Sequence, residues 1–133
     1  MKRILVAFDG HECSQRALEQ GAELARALNA EIGVVSVTPR RTGHVGTDPW
    51  DDREAHARAL RSARDWFTER GFRPNLYAPA GDPAESVTEV AERQGFDTIV
   101  VGSRGLGLVG RSLERSVSAQ LATDASVTVV VAR

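Results

Sequence analysis

Residues 97–118 read DTIVVGSRGLGLVGRSLERSVS. A short apolar run, Thr98–Val101, stops at Gly102. Gly105, Gly107 and Gly110 follow, then arginines and serines, then a helical pattern. Strand, glycine-rich loop, helix start is the order in which a chain presents backbone N–H groups and a helix N-terminus to an anion. Four glycines are more than a simple connection between two regular elements needs, and they let the backbone approach a ligand closely.

Working outward, the same alternation of strand and helix covers the rest of the chain. Arg3–Asp9 (RILVAFD) is an apolar run ending in a carboxylate, the strand type buried on both faces of a parallel sheet, and Gly10 turns the chain. From Cys13 to Leu28, Ala17, Gly21, Leu24, Ala25 and Leu28 recur at helical spacing, with Asn29 as a left-handed stop. Glu31–Thr38 is a second buried-type strand closed by Pro39, and 40–47 is a loop without periodicity.

Asp48-Pro49-Trp50-Asp51 carries a cap, a first-turn proline and a carboxylate three residues after the cap. It predicts a helix to Gly71 with Ala55, Ala59, Ala63, Trp66 and Phe67 facing inward. Arg73–Ala78 is a weak strand whose proline confines it to an edge. Asp82-Pro83-Ala84-Glu85 opens a third helix through Val87, Val90 and Ala91 to Gly95. A helix over 116–124 and a strand at Val127–Val131 complete the chain. Strands alternating with helices predict an α/β, doubly wound parallel sheet with helices on both faces, Rossmann-like.

The 133 residues are expected to form a single domain. A net charge of −1 and the lack of a Lys/Arg run exclude a strongly basic nucleic-acid protein. No apolar stretch is long enough to span a membrane. The opening MKRILVAFDG reaches an aspartate too soon for a secretory leader, so a cytoplasmic location is expected. One cysteine, Cys13, forbids an intrachain disulfide.

In a doubly wound sheet, ligands lie outside the carboxyl ends of the strands where the strand order reverses. Two strand ends carry notable chemistry, Asp9-Gly10 and Gly102. A carboxylate suits hydroxyl groups and a glycine loop suits phosphates; together they point to a nucleotide. No Lys-Ser/Thr pair follows the glycines and no G-x-G-x-x-G follows the first strand, so neither the Walker nor the dinucleotide fingerprint is present.

RILVAFDG, the Gly81-Asp82-Pro83 turn, FDTIVVGSRGLG and the closing valine-rich strand together resemble the universal stress protein family over essentially the full length. Its ATP-binding branch carries G-x-x-G, nine residues, then G-[S/T]. Gly102-Ser103-Arg104-Gly105 matches the first half; at the end Ser116 matches, but Arg115 stands in place of glycine. The resemblance implies a five-stranded sheet in the order 3-2-1-4-5, which sets the first and fourth strands side by side. It also implies ATP, with Mg2+, as ligand: Ala7, Phe8 and Asp9 near the adenosine, Val37 against the base, and Val101, Gly102, Gly105, Ser116 and Val117 lining ribose and phosphates. Ser103, Arg104, Gly107 and Arg115 are further phosphate-loop candidates. Arg115 reads two ways, as a side chain obstructing the phosphate channel or as a charge-assisted donor to it.

The remaining polar residues divide by type. His11, His44 and His56 are expected at the surface, Cys13 as a small buried hydrophobe, and Ser112, Ser116 and Ser118 as helix caps. Trp50 and Trp66 are expected as packing anchors. No catalytic constellation is visible. The leading reading is therefore a nucleotide-binding stress-response module and not an enzyme. The alternatives are a nucleotide-independent interaction protein and, last, a slow ATP hydrolase. Val127–Val131 is predicted to be an unprotected sheet edge, and the family resemblance implies a homodimer through it.

Overall fold

The computed structural model describes residues 2–10, 12–38, 53–102 and 126–132. In chain order they form β1 (Arg3–Ala7), α1 (Glu12–Leu28), β2 (Glu31–Val35), α2 (Arg53–Glu69), β3 (Asn75–Tyr77), α3 (Pro83–Gln94), β4 (Thr98–Gly102) and β5 (Thr128–Ala132). One sheet takes all five strands in the order β3-β2-β1-β4-β5, every pair parallel. This is the order implied by the resemblance. β1 sets Arg3 opposite Glu31 and Ala7 opposite Val35 on one side. On the other it sets Ile4 opposite Thr98 and Val6 opposite Val100. The chain builds outward from β1 to β3, then returns across the sheet to β4 and β5, so the order reverses between β1 and β4.

Both faces of the sheet are covered, which is why the central strands read as unbroken apolar runs. On one face Ile4, Val6 and Phe8 pack with Ala17, Leu18 and Ala25 of α1 and with Leu60, Ala63 and Phe67 of α2. On the other, Leu5, Ala7, Val35, Val37, Ile99 and Val101 pack with Ala84, Val87 and Ala91 of α3 and with Phe96. Successive β1 side chains alternate between the two clusters, as the strand period of two requires.

α3 has the ends expected of it. The Asp82 side chain caps it by accepting from the Glu85 N–H at 3.0 Å, Pro83 opens it, and Gly95 closes it at φ 76. Asn29, at φ 54, ends α1 in the left-handed region. Pro74 precedes β3, which lies at one edge of the sheet; β5 lies at the other.

The first two strands are shorter than their apolar runs. β1 ends at Ala7 and β2 at Val35 because their pairing stops there: the Phe8 N–H to the Val35 carbonyl, 2.9 Å, is the last bond between them. Ser36 and Thr38 donate instead to the carbonyls of Tyr77 and Pro79, both at 3.0 Å. The end of β2 thus follows the β3 side and parts from β1. The inward stripe of α1 runs through Ala17, Leu18, Gly21, Ala22 and Ala25 with Leu24 partly buried against the core, and of the expected positions only Leu28, 48% exposed in the last turn, departs from it. Among the described residues no helix is long and apolar enough to cross a membrane.

Candidate functional site

At the reversal point β1 and β4 run out at the same end of the sheet. β1 continues through Phe8 to Asp9 and to Gly10 at φ 90, and β4 ends at Gly102. Val37 follows β2 on the far side of β1. Six of the predicted residues, Ala7, Phe8, Asp9, Val37, Val101 and Gly102, are therefore gathered at the carboxyl ends of three adjacent strands. All six are buried. The side chains of Ala7, Val37 and Val101 share the α3-side cluster, and that of Phe8 packs on the opposite face.

Ser103, Arg104, Gly105, Gly107, Arg115, Ser116 and Val117 lie outside the described residues. So do His11, His44, Trp50, Ser112, Ser118, the Cys13 side chain, the loop at 40–47, the helix opening at Asp48 and the helix expected over 116–124. Trp66 is partly buried against the core, as an anchor should be.

Asp9 is only 4% exposed, and its carboxylate is held in place. The Ser14 hydroxyl donates to Oδ1 at 2.9 Å, and the Asp9 N–H lies 3.4 Å from the same hydroxyl oxygen. Ser14 stands in the first turn of α1, so the carboxylate is tied to a helix N-terminus, where the dipole favours negative charge. Such a group accepts from ligand hydroxyl or amine donors.

A second buried polar pair closes the end of β2. Ser36 Oγ and His56 Nδ1 are 3.0 Å apart, Ser36 fully buried and His56 6% exposed. The expectation of a surface position for His56 is overturned. Ala59, Leu60, Ala63 and Phe67 follow it at helical spacing and are all buried, so His56 belongs to the inward face of α2. That signal is in the sequence, as is the lone polar Ser36 inside the apolar run of β2; side-chain polarity conceals both. Ser14 leaves less trace, because its bond to Asp9 spans a turn between two different elements.

The buried polar groups are unevenly distributed. Among the described residues they are Asp9, Ser14, Ser36, His56, Ser86 and Thr98, and all but Thr98 sit at the carboxyl end. No group of three or more His, Cys, Asp or Glu among the described residues is arranged to hold a metal ion.

The model of the universal stress protein family matches residues 1–133. A universal stress protein of Thermus aquaticus, encoded in the 3' region of the QAH/OAS sulfhydrylase, is 31% identical, with 99% of this chain and 98% of that protein aligned. Among solved structures, a universal stress protein in complex with cAMP superposes with a TM-score of 0.78 at 23% identity, covering 99% of this chain and 97% of that one. The universal stress protein of Archaeoglobus fulgidus in complex with dAMP superposes with a TM-score of 0.73 at 19% identity, covering 100% and 98%.

Proposed function

The chain belongs to the universal stress protein family, and on that premise we propose that it binds an adenine nucleotide at the carboxyl ends of β1 and β4. The observation that carries the proposal is the buried Asp9 carboxylate, fixed by Ser14, beside the end of the strand that enters the glycine-rich loop. The structurally similar proteins that hold cAMP and dAMP support the same ligand class.

In this reading Asp9 accepts from donors of the adenosine. Ala7, Val37 and Val101 shape its bed through their backbone, because their side chains are already packed in the core. Phe8 braces the bed from the other face. Gly102, Gly105 and Ser116 meet ribose and phosphates, with Ser103, Arg104, Gly107, Arg115 and Val117 around them. ATP with Mg2+ is the proposed ligand; the ion is assigned no protein ligand.

The protein acts as a cytoplasmic stress-response module, not an enzyme. It pairs with a second copy along β5, whose outer edge has no neighbouring strand among the described residues and whose Val131 is 39% exposed.

The deciding experiment combines mass spectrometry of ligand released from freshly purified protein with calorimetric titration of cAMP, AMP and Mg-ATP. Wild type and an Arg115→Gly variant are compared. Saturable binding by wild type supports the proposal. Binding only by the variant favours the second reading, an interaction protein whose Arg115 fills the phosphate channel. No binding by either overturns nucleotide binding. Phosphate release from ATP is expected to stay at buffer background, and sedimentation is expected to report a dimer.

A further inference from the structure

Where β2 leaves β1, its last residues need something to hold them. The backbone bonds from Ser36 and Thr38 to Tyr77 and Pro79, with the Gly81 N–H returning to the Thr38 carbonyl at 3.0 Å, all come from the β3 side. β3 is a half-buried edge strand of three residues, so it is a modest anchor. Beneath the turn, the Ser36 side chain points away from the cluster that takes Val35 and Val37, as strand alternation requires. There it meets His56 Nδ1 at 3.0 Å.

The rest of the inward face of α2 is apolar: Ala59, Leu60, Ala63 and Phe67. A buried imidazole and hydroxyl cost more to desolvate than an apolar pair that would fill the same space. What the polar pair adds is direction, because a hydrogen bond fixes where Ser36 sits and contact between two alkyl groups does not. Val37, bonded to Ser36, is fixed with it.

We infer that His56 is a positioning residue for the adenine side of the site: through Ser36 it sets the placement of Val37 and its backbone at the end of β2. The inference rests on the nucleotide reading above. His56 does not touch the ligand; it joins the first turns of α2 to the wall against which the base lies.

Three single variants and one double variant test it by titration with cAMP and AMP, each well below its own unfolding temperature. His56→Leu keeps bulk and burial but removes the bond, and is expected to weaken nucleotide binding about tenfold, the scale of one lost hydrogen bond. His56→Asn places an amide where Nδ1 stands and is expected to stay within about threefold of wild type. Ser36→Ala is expected to match His56→Leu, and combining the two is expected to cost no more than either alone, as for residues acting through one contact. Thermal unfolding, followed in parallel, separates the effect from lost stability, which the Asn variant would not repair selectively.

Wild-type affinity in both His56→Leu and Ser36→Ala overturns the inference, as does an Asn variant as weak as the Leu variant. A wild-type protein that binds no adenine nucleotide overturns the functional reading and this inference together. Normal wild-type binding with unaffected variants overturns this inference alone.

Discussion

The two ends of the sheet are built by different rules. At the amino end, contacts are redundant and reach across strands. Asp97 Oδ2 accepts from the Lys2 N–H at 2.8 Å and the Arg3 N–H at 3.3 Å, and Oδ1 accepts from the Thr98 hydroxyl at 2.8 Å. The Asp97 backbone donates to Arg3 and accepts from Thr128, so one residue ties the starts of β1, β4 and β5. Aromatic rings pack edge to face on both sides of the sheet, Phe67 with Trp66 and Phe72 on one, and Tyr77 with Phe96 on the other. The Arg70 and Arg3 guanidiniums lie 3.8 Å and 4.7 Å from the ring centroids of Trp66 and Phe96. The buried Nε of Arg3 has no hydrogen bond, with Glu31 Oε2 as distant as 3.8 Å.

At the carboxyl end β2 parts from β1 while β4 and β5 stay paired to Gly102 and Ala132, and the pairs Asp9–Ser14 and Ser36–His56 are buried there. Several bonds converging on the one exposed residue Asp97 fix the first end; separate buried polar pairs fix the second. The lesson is a division of labour: substitutions at the amino end should act on stability and leave the ligand alone, and those at the carboxyl end should do the reverse.

The largest expected effect is on binding. Asp9→Ala removes a charged acceptor, and affinity for adenine nucleotides is expected to fall by about 1.5–3 kcal/mol, the worth of a hydrogen bond to a charged group. Titration checks it; an unchanged affinity would erase the contrast between the ends. Next is Gly33→Ala. A Cβ there would stand 2.5 Å from Phe96 Cζ and 2.9 Å from Cε1. Chemical denaturation is expected to show a loss of about 1–3 kcal/mol, as for overpacking, with nucleotide affinity kept.

Asp97→Asn is expected to cost about 1 kcal/mol at neutral pH, discounted for its exposure to solvent. Burial pushes the Asp97 carboxyl upward, but the N–H groups of Lys2 and Arg3 and the Thr98 hydroxyl outweigh it and hold the carboxyl below its ordinary value of 3.8. Its stabilisation is therefore complete above that value and is lost as the pH falls through the lower folded value. Urea unfolding of the two proteins should accordingly differ at pH 7 and converge in acid, once the pH has fallen below the lowered folded value. The smallest effect belongs to Ser126→Ala, which breaks an exposed bond to Glu92 Oε2 at 2.6 Å. A loss of a few tenths of a kcal/mol, near the limit of denaturation measurements, is expected there.

Much of the fold was legible because its signals are local. Asp82, Pro83 and Gly95 name both ends of α3 without help from the rest of the chain, and an apolar run covered on both faces can be read from composition alone. Of the candidate site, Asp9 and Gly102 were legible as chemistry placed at strand ends. His56 was misjudged, because its residue type argues for the surface while its helical spacing argues for the core, and spacing prevailed. Leu28 shows the converse: it is apolar and correctly spaced, yet exposed, since the end of a helix need not meet a neighbour.

The sequence by itself determined the alternation of elements, the caps and the residues able to meet an anion or a hydroxyl, because each depends on interactions within a few residues along the chain. That β1 lies beside β4, that Ser14 holds Asp9, and that His56 reaches Ser36 were decided by tertiary structure. Each of those pairings joins separate elements, and only the packed sheet sets how near they come and in which direction they point.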